Sequence, residues 1–339
     1  LILLRLALLS LLLQPLVLSA DPAYVLKFAT LAPQGSTWMN LLETWGRQLE
    51  SQSQGRLTVK FYPGGIAGDE PDVLRKIRFG QLQGAAVSGH GIGEVYSPAR
   101  VLEVPFLFRD HAEIDYVRTR LMPTIDAGMR KNGFEMVGWM EVGFVHFFST
   151  KPVTSLEDMR ARRIWQWQGD RFIAAFFSAS HWSPVSLPIS DVYMGLSTGL
   201  VDTVMATPLS SIALQWFTKT PYMSEIPMAN GIGALLVSSK FFATLPPDLQ
   251  RLVRDTGHQT GLQLIAATRR DDKNALEVLK RNGVRTTFGW NDVKRDELMA
   301  LRDQAVAELE KTGYISSDIR HQVDAALAEY RALPRGTGP

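Results

Sequence analysis

The stretch ARRIWQWQGDR, residues 161–171, reads as a short strand that runs directly into a helix. The strand, 163–168, sets Trp165 and Trp167 on one face and Ile164, Gln166 and Gln168 on the other, because side chains alternate along an extended chain. A helix-like run begins near Asp170. A strand that feeds a helix ends at the edge of a sheet, where α/β proteins put ligands. Two indoles at this spacing form either a flat apolar wall beside such a site or a piece of core, and spacing alone leaves both open.

The rest of the chain repeats this alternation. A first strand, 24–30, meets a turn at 32–36 that contains Gln34, and Ser36 caps a helix through Trp38, Leu41, Leu42, Trp45 and Leu49. A strand at 57–62 precedes a helix opening at Asp69. A short buried strand ends at Ser88, just before His90. Strands are also expected at 135–139 and 144–149, with a break between them, and at 202–206, 222–227 and 233–238. A helical pattern runs over 249–281 and stops at Asn282 and Gly283, and two more helices follow. Strand, helix, strand in succession predicts a mostly parallel sheet with helices on its faces.

The length of 339 residues suggests two domains, and 45% hydrophobic with 21% charged residues is an ordinary globular balance. With 36 basic and 34 acidic residues the net charge is +2, which offers no strong field to nucleic acid, so no such partner is expected. The absence of cysteine excludes disulfides, thiolate metal sites and cysteine nucleophiles. Residues 1–20, LILLRLALLSLLLQPLVLSA, read as a secretory signal peptide with cleavage after Ala20. The alternative is an uncleaved anchor, against which Arg5, Gln14 and Pro15 interrupt the apolar run. The mature protein is therefore expected to be exported and soluble, and residues 333–339 to be a disordered tail.

Catalytic and metal motifs are not apparent. The six histidines, His90, His111, His146, His181, His258 and His321, include no pair at metal-binding spacing. GHGIGE, 89–94, has Glu94 where a dinucleotide fingerprint needs its third glycine. No catalytic residue, metal or cofactor is expected, and an enzyme is not nominated.

Five ordered segments carry a resemblance. KFATLAPQGSTW (27–38), VKFYPGGIAGDEPDVLRKIRFGQL (59–82), VLEVPFLFRD (101–110), KPVTSLEDMRARRI (151–164) and SLPISDVYMGLSTGLVD (186–202) resemble the receptors of TRAP (tripartite ATP-independent periplasmic) transporters. The likeness implies a type II periplasmic-binding-protein fold: two α/β domains joined by hinge strands, with a long helix packing across both. By that analogy residues 21–146 with 231–280 form the first domain, and 147–230 with 281–332 the second. The ligand, a small organic solute, would lie in the cleft. The partners implied are integral-membrane permease subunits, for a receptor that is a monomer or dimer in the periplasm. The same fold also serves as a periplasmic sensor subunit or, less often, an enzyme.

The family places an Arg where the strand after its D-[ML]-[KR]-G-x-K motif enters the cleft, and this Arg forks onto a solute carboxylate. Here Trp165 holds that position, and Phe144 and Val145 stand where a second Arg follows the hinge glycine, Gly143. Arg163 is two positions out of register to serve instead. The expected ligand-binding residues are Trp165, Trp167, Gln166, Phe144, Val145, Gln34, Ser88, His90, Asp170, Thr207 and Trp216. Their character points to a solute less acidic and more apolar than the family's carboxylates.

Overall fold

The structure is a computed structural model that describes residues 24–333. The signal-peptide reading, and the tail beyond residue 333, lie outside the described residues. The first half of the chain builds β1 (Tyr24–Thr30), α1 (Thr37–Gln52), β2 (Leu57–Tyr62), α2 (Glu70–Arg78), β3 (Gly84–Ser88), α3 (Gly89–Tyr96), a 3-10 stretch (Ser97–Glu103), α4 (His111–Lys131) and β4 (Phe134–Ser149). Next come α5 (Leu156–Arg160), β5 (Ile164–Trp167), α6 (Arg171–Ala179), β6 (Pro184–Leu187), α7 (Val192–Thr198), β7 (Thr203–Ala206), α8 (Pro208–Ala213), β8 (Tyr222–Ser224) and β9 (Ala229–Ser238). The chain closes with α9 (Ser239–Phe242), α10 (Pro247–Arg281), β10 (Arg285–Thr287), α11 (Arg295–Lys311) and α12 (Ser317–Ala332).

The strands run in the order β2-β1-β3-β9-β4-β7-β5-β6. The first unit is β2, β1 and β3 in parallel, then antiparallel β9 and β4. The second is β7, β5 and β6 with β8 and β10. β4 belongs to both. It pairs with β9 from Phe134 to Val145, then with β7 from His146 to Ser149. The expected gap between two strands is instead one strand with a bulge between Glu141 and Gly143. A bulge bends and twists a strand, which is how one strand serves two sheets. Gly143 sits there at φ +111, and a Cβ on it would overlap Asp272 Oδ2.

Helix α10 packs along β4 and touches both α1 and α8, so it spans the two units. Its approach is backbone-close: a Cβ on Gly257 would lie 2.7 Å from Val137 O. Gly283 at φ +85 follows its end, as the sequence predicts.

The last helix corrects the expected domain division. Residues 281–311 supply β10 beside β8 and α11 against α6, both in the second unit. α12 returns to the first unit and packs on α4. Its apolar stripe, Ile319, Val323, Ala326 and Leu327, joins the core that holds Val117, Leu121 and Ile125 of α4. Arg331 also forks onto the buried Glu113, donating at 2.7 and 2.8 Å to its two carboxylate oxygens.

Candidate functional site

The C-terminal ends of β1, β3, β5 and β7 converge between the units, each followed by a helix or turn, and the bulged parts of β4 and β9 lie behind them. They enclose a cavity of about 240 Å³. This is the position that parallel α/β sheets offer to ligands.

One wall is indole. The rings of Trp165 and Trp167 are 5.6 Å apart, and Trp216 meets Trp165 edge-on at 5.2 Å. Their N–H groups are partly spent on protein. Trp165 Nε1 donates to Leu187 O at 3.1 Å, and Trp167 Nε1 donates to Asp69 Oδ2 at 2.8 Å. The second bond crosses from one unit to the other, because Asp69 caps α2. These two side chains therefore offer the cavity apolar ring surface and no free donor. Met205, Met228, Phe172, Ile173 and Leu264 extend the apolar lining.

Beside the indoles the lining is polar and buried. Glu70 accepts from Ser88 N at 2.7 Å, Ser88 Oγ at 2.8 Å and Gly91 N at 2.7 Å. Burial pushes its carboxyl up to about 7. His90 stacks obliquely on Trp167 at 5.1 Å, and burial lowers its pKa, so the imidazole is neutral at pH 7. Asp170 caps α6 by accepting from Phe172 N and Ile173 N, which fixes the strand-to-helix turn. Arg100 Nη1 donates to Asp170 Oδ1 and its Nε to Glu103 Oε2, both at 2.6 Å. Burial raises the Asp170 carboxyl, but Arg100 and His90 outweigh it and hold the group below the usual carboxylate range.

Of the residues expected from sequence, Trp165, Trp167, Val145, Ser88, His90, Asp170, Thr207 and Trp216 line this cavity. Three do not. Gln34 is exposed on its turn and donates to Glu43 Oε1 at 2.9 Å. Gln166 points to the other face of β5, where its Nε2 donates to Asp170 O at 3.2 Å. Phe144 alternates with Val145 and packs outside the cavity on His111, with ring centres 5.0 Å apart. Thr207 lines the cavity, but its hydroxyl is engaged with Ser210 in the cap of α8. Arg163 is exposed and paired with Asp202 at 3.4 Å, away from the cavity. The sequence reading missed Glu70, Arg100 and Glu103. The one available signal for Arg100 was a lone cation in the otherwise apolar run ARVL.

Comparison with known proteins gives a consistent picture. The family model for bacterial extracellular solute-binding protein, family 7 (DctP) matches residues 28–311. A solute-binding protein of Sulfitobacter sp. strain NAS-14.1 is 22% identical over 296 residues, 86% of this chain and 89% of that protein. The 2,3-diketo-L-gulonate-binding periplasmic protein of Escherichia coli K12 is 22% identical over 241 residues, 70% and 72% of the two chains. Among solved structures, a TRAP periplasmic solute-binding protein from Xanthobacter autotrophicus Py2 with bound β-D-galacturonate superposes with a TM-score of 0.82 at 18% identity, covering 89% of this chain and 99% of that one. One from Pseudomonas putida F1 with bound D-glucuronate gives 0.80 at 24% identity, covering 89% and 97%. At these identities the structures establish the shared two-domain fold.

Proposed function

The chain belongs to family 7 of the bacterial extracellular solute-binding proteins, and on that premise we propose that it is the periplasmic receptor of a TRAP-type transporter, taking a small organic solute less acidic and more apolar than a uronate. It would hand the closed, loaded form to integral-membrane permease subunits, and it would bind its solute without chemical change. Among the described residues, no helix is long and apolar enough to cross a membrane.

The observation that carries the ligand class is the charge balance of the cavity. Trp165 stands where the resemblance implies a carboxylate-binding Arg. Among the described lining residues Arg100 is the one Arg or Lys side chain, and it is already paired with Glu103 and Asp170. A solute carboxylate would forgo a charge-assisted hydrogen bond worth roughly 1.5–3 kcal/mol. It would also be desolvated beside other carboxylates, at a cost of several kcal/mol. Indole faces favour apolar bodies and cations instead.

Mass spectrometry of the solute that co-purifies with the protein identifies the ligand directly. A thermal-shift panel then compares D-glucuronate and simple dicarboxylates with neutral and cationic aromatic solutes. Stabilisation by the second group supports the reading. Clear stabilisation by dicarboxylates or uronates overturns it.

A further inference from the structure

We propose that Asp170 sets the charge of the solute: one of its oxygens withdraws Arg100 from solute carboxylates, and the other, beside His90, receives a solute N–H. The inference rests on the cavity being the solute site, and the ligand it names is an amine with an apolar body.

Arg100 comes from the 3-10 stretch of the first unit, and Asp170 from the N-terminus of α6 in the second. Both side chains are almost fully buried, at 4% and 3% exposure. The guanidinium is fixed on three sides. It holds Glu103 through Nε and Asp170 through Nη1, and lies 4.5 Å from the centre of the Phe172 ring. The second unit thus supplies its own carboxylate to a cation that a solute acid would otherwise seek.

The two oxygens of Asp170 are used unequally. Oδ1 accepts from Arg100, Phe172 N and Ile173 N. Oδ2 lies 3.8 Å from His90 Nδ1, too far for a hydrogen bond. His90 Nε2 is buried with no partner. A tautomer with its proton on Nδ1, the side facing Asp170, leaves Nε2 as an acceptor. Asp170 Oδ2 thus has no hydrogen-bond donor at the cavity wall, with the buried His90 imidazole and the ring of Trp167 beside it.

The surrounding charges agree. The lining carboxylates are Glu70, Glu103, Glu141 and Asp170. Glu141 is answered from behind by Arg269, and Glu103 by Arg100. Nothing in this set attracts an anion. An ammonium donating to Asp170 Oδ2 would place its hydrocarbon against the apolar lining formed by Trp165, Trp167 and Ile173.

Three probes of one shape and different charge test this: benzylamine, benzamide and benzoate, titrated calorimetrically against wild type and Asp170→Asn. Asparagine keeps the helix cap, and Arg100 keeps Glu103 as counter-ion, so the variant retains its local structure. The expected result is that wild type ranks benzylamine first. In Asp170→Asn, benzylamine should weaken roughly tenfold or more, and benzoate should gain. An unchanged ranking in the variant overturns the role of Asp170 while leaving the receptor reading intact. Preference of the wild type for benzoate or D-glucuronate overturns the receptor's ligand class itself. Absence of binding by all three probes in both proteins counts against an amine pole. Should Asp170→Asn not fold, a crystal structure of the wild type with benzylamine decides the matter. Its nitrogen must lie within hydrogen-bond distance of Asp170 Oδ2, and a nitrogen turned away from it overturns the proposal.

Discussion

Asp69 and Trp167 join the two units across the cleft, the indole Nε1 donating to Asp69 Oδ2 at 2.8 Å. The same oxygen receives a longer bond, 3.4 Å, from Ile189 N. Asp69 meanwhile caps α2 through its other oxygen. One side chain therefore ties a helix start in the first unit to a strand end in the second.

Trp167→Phe keeps an aromatic ring in the wall and removes the donor. Solute affinity should fall roughly two- to tenfold, matching a lost hydrogen bond of about 0.5–1.5 kcal/mol. The solute-free protein should also populate a more open form, visible as a larger radius of gyration in small-angle X-ray scattering. In a cycle with Asp69→Ala the two effects on affinity should be non-additive, because they break one bond. Additive effects, or scattering identical to wild type, would show that the bond does not hold the cleft closed.

Gly143→Ala should destabilise the protein by about 2 kcal/mol or more. The position combines φ +111 with a Cβ that would overlap Asp272. Gly133→Ala is the matched control. Its φ is +85, with nothing within 4 Å of an added Cβ, so only the backbone cost remains. Urea denaturation of the two variants should separate the steric part from the conformational part. Equal losses would mean that Asp272 moves aside freely.

Glu70 predicts a pH dependence. Its carboxyl titrates near 4.5 when unfolded and is pushed up to about 7 by burial. Between those values the folded state holds the extra proton. The contribution of this group to stability therefore declines as pH rises from about 4.5 to 7, and is flat above that. The full change is on the order of 3 kcal/mol. His90 acts in the opposite sense, since burial lowers its pKa and folding then releases a proton as pH falls. The difference between wild type and Glu70→Gln cancels that background. Stability curves that stay parallel from pH 4.5 to 7.5 would contradict the assignment.

Trp165→Ala should cost about 3 kcal/mol of stability, the low end for a large aromatic in a core, because the side chain borders an existing cavity. Trp165→Phe should cost less, leaving chiefly Leu187 O without its 3.1 Å donor. Binding of the co-purified solute should be abolished by the first change and weakened by the second. Retained affinity in Trp165→Ala would remove the indole from the recognition surface.

The sequence made the site legible where one short segment carries all the information. The run from Trp165 to Asp170 shows its strand and the start of its helix within a few residues, and the structure has a strand at Ile164–Trp167 and a helix from Arg171. The misreadings share a cause, which is that facing depends on the rest of the fold. Phe144 and Val145 alternate on β4, so only one could reach the cavity, and the bulge before Gly143 decides which. Gln166 was legible as an opposite-face residue from the same alternation that put Trp165 and Trp167 together. Arg100 was hidden because the second of its two counter-ions, Asp170, lies 70 residues further on, and no local pattern links them. The last helix was legible as a helix, but a helical pattern does not say against which unit it packs.

Four of the eight tryptophans of the chain, Trp38, Trp165, Trp167 and Trp216, border the cavity. The Trp165 ring stands 5.6 Å from that of Trp167 and 5.2 Å from that of Trp216, close enough for their electronic transitions to couple. The receptor thus carries its own optical gauge. Solute entry should shift the emission of this cluster and alter its exciton signal in circular dichroism, so occupancy can be followed in unlabelled protein before the solute itself has been identified.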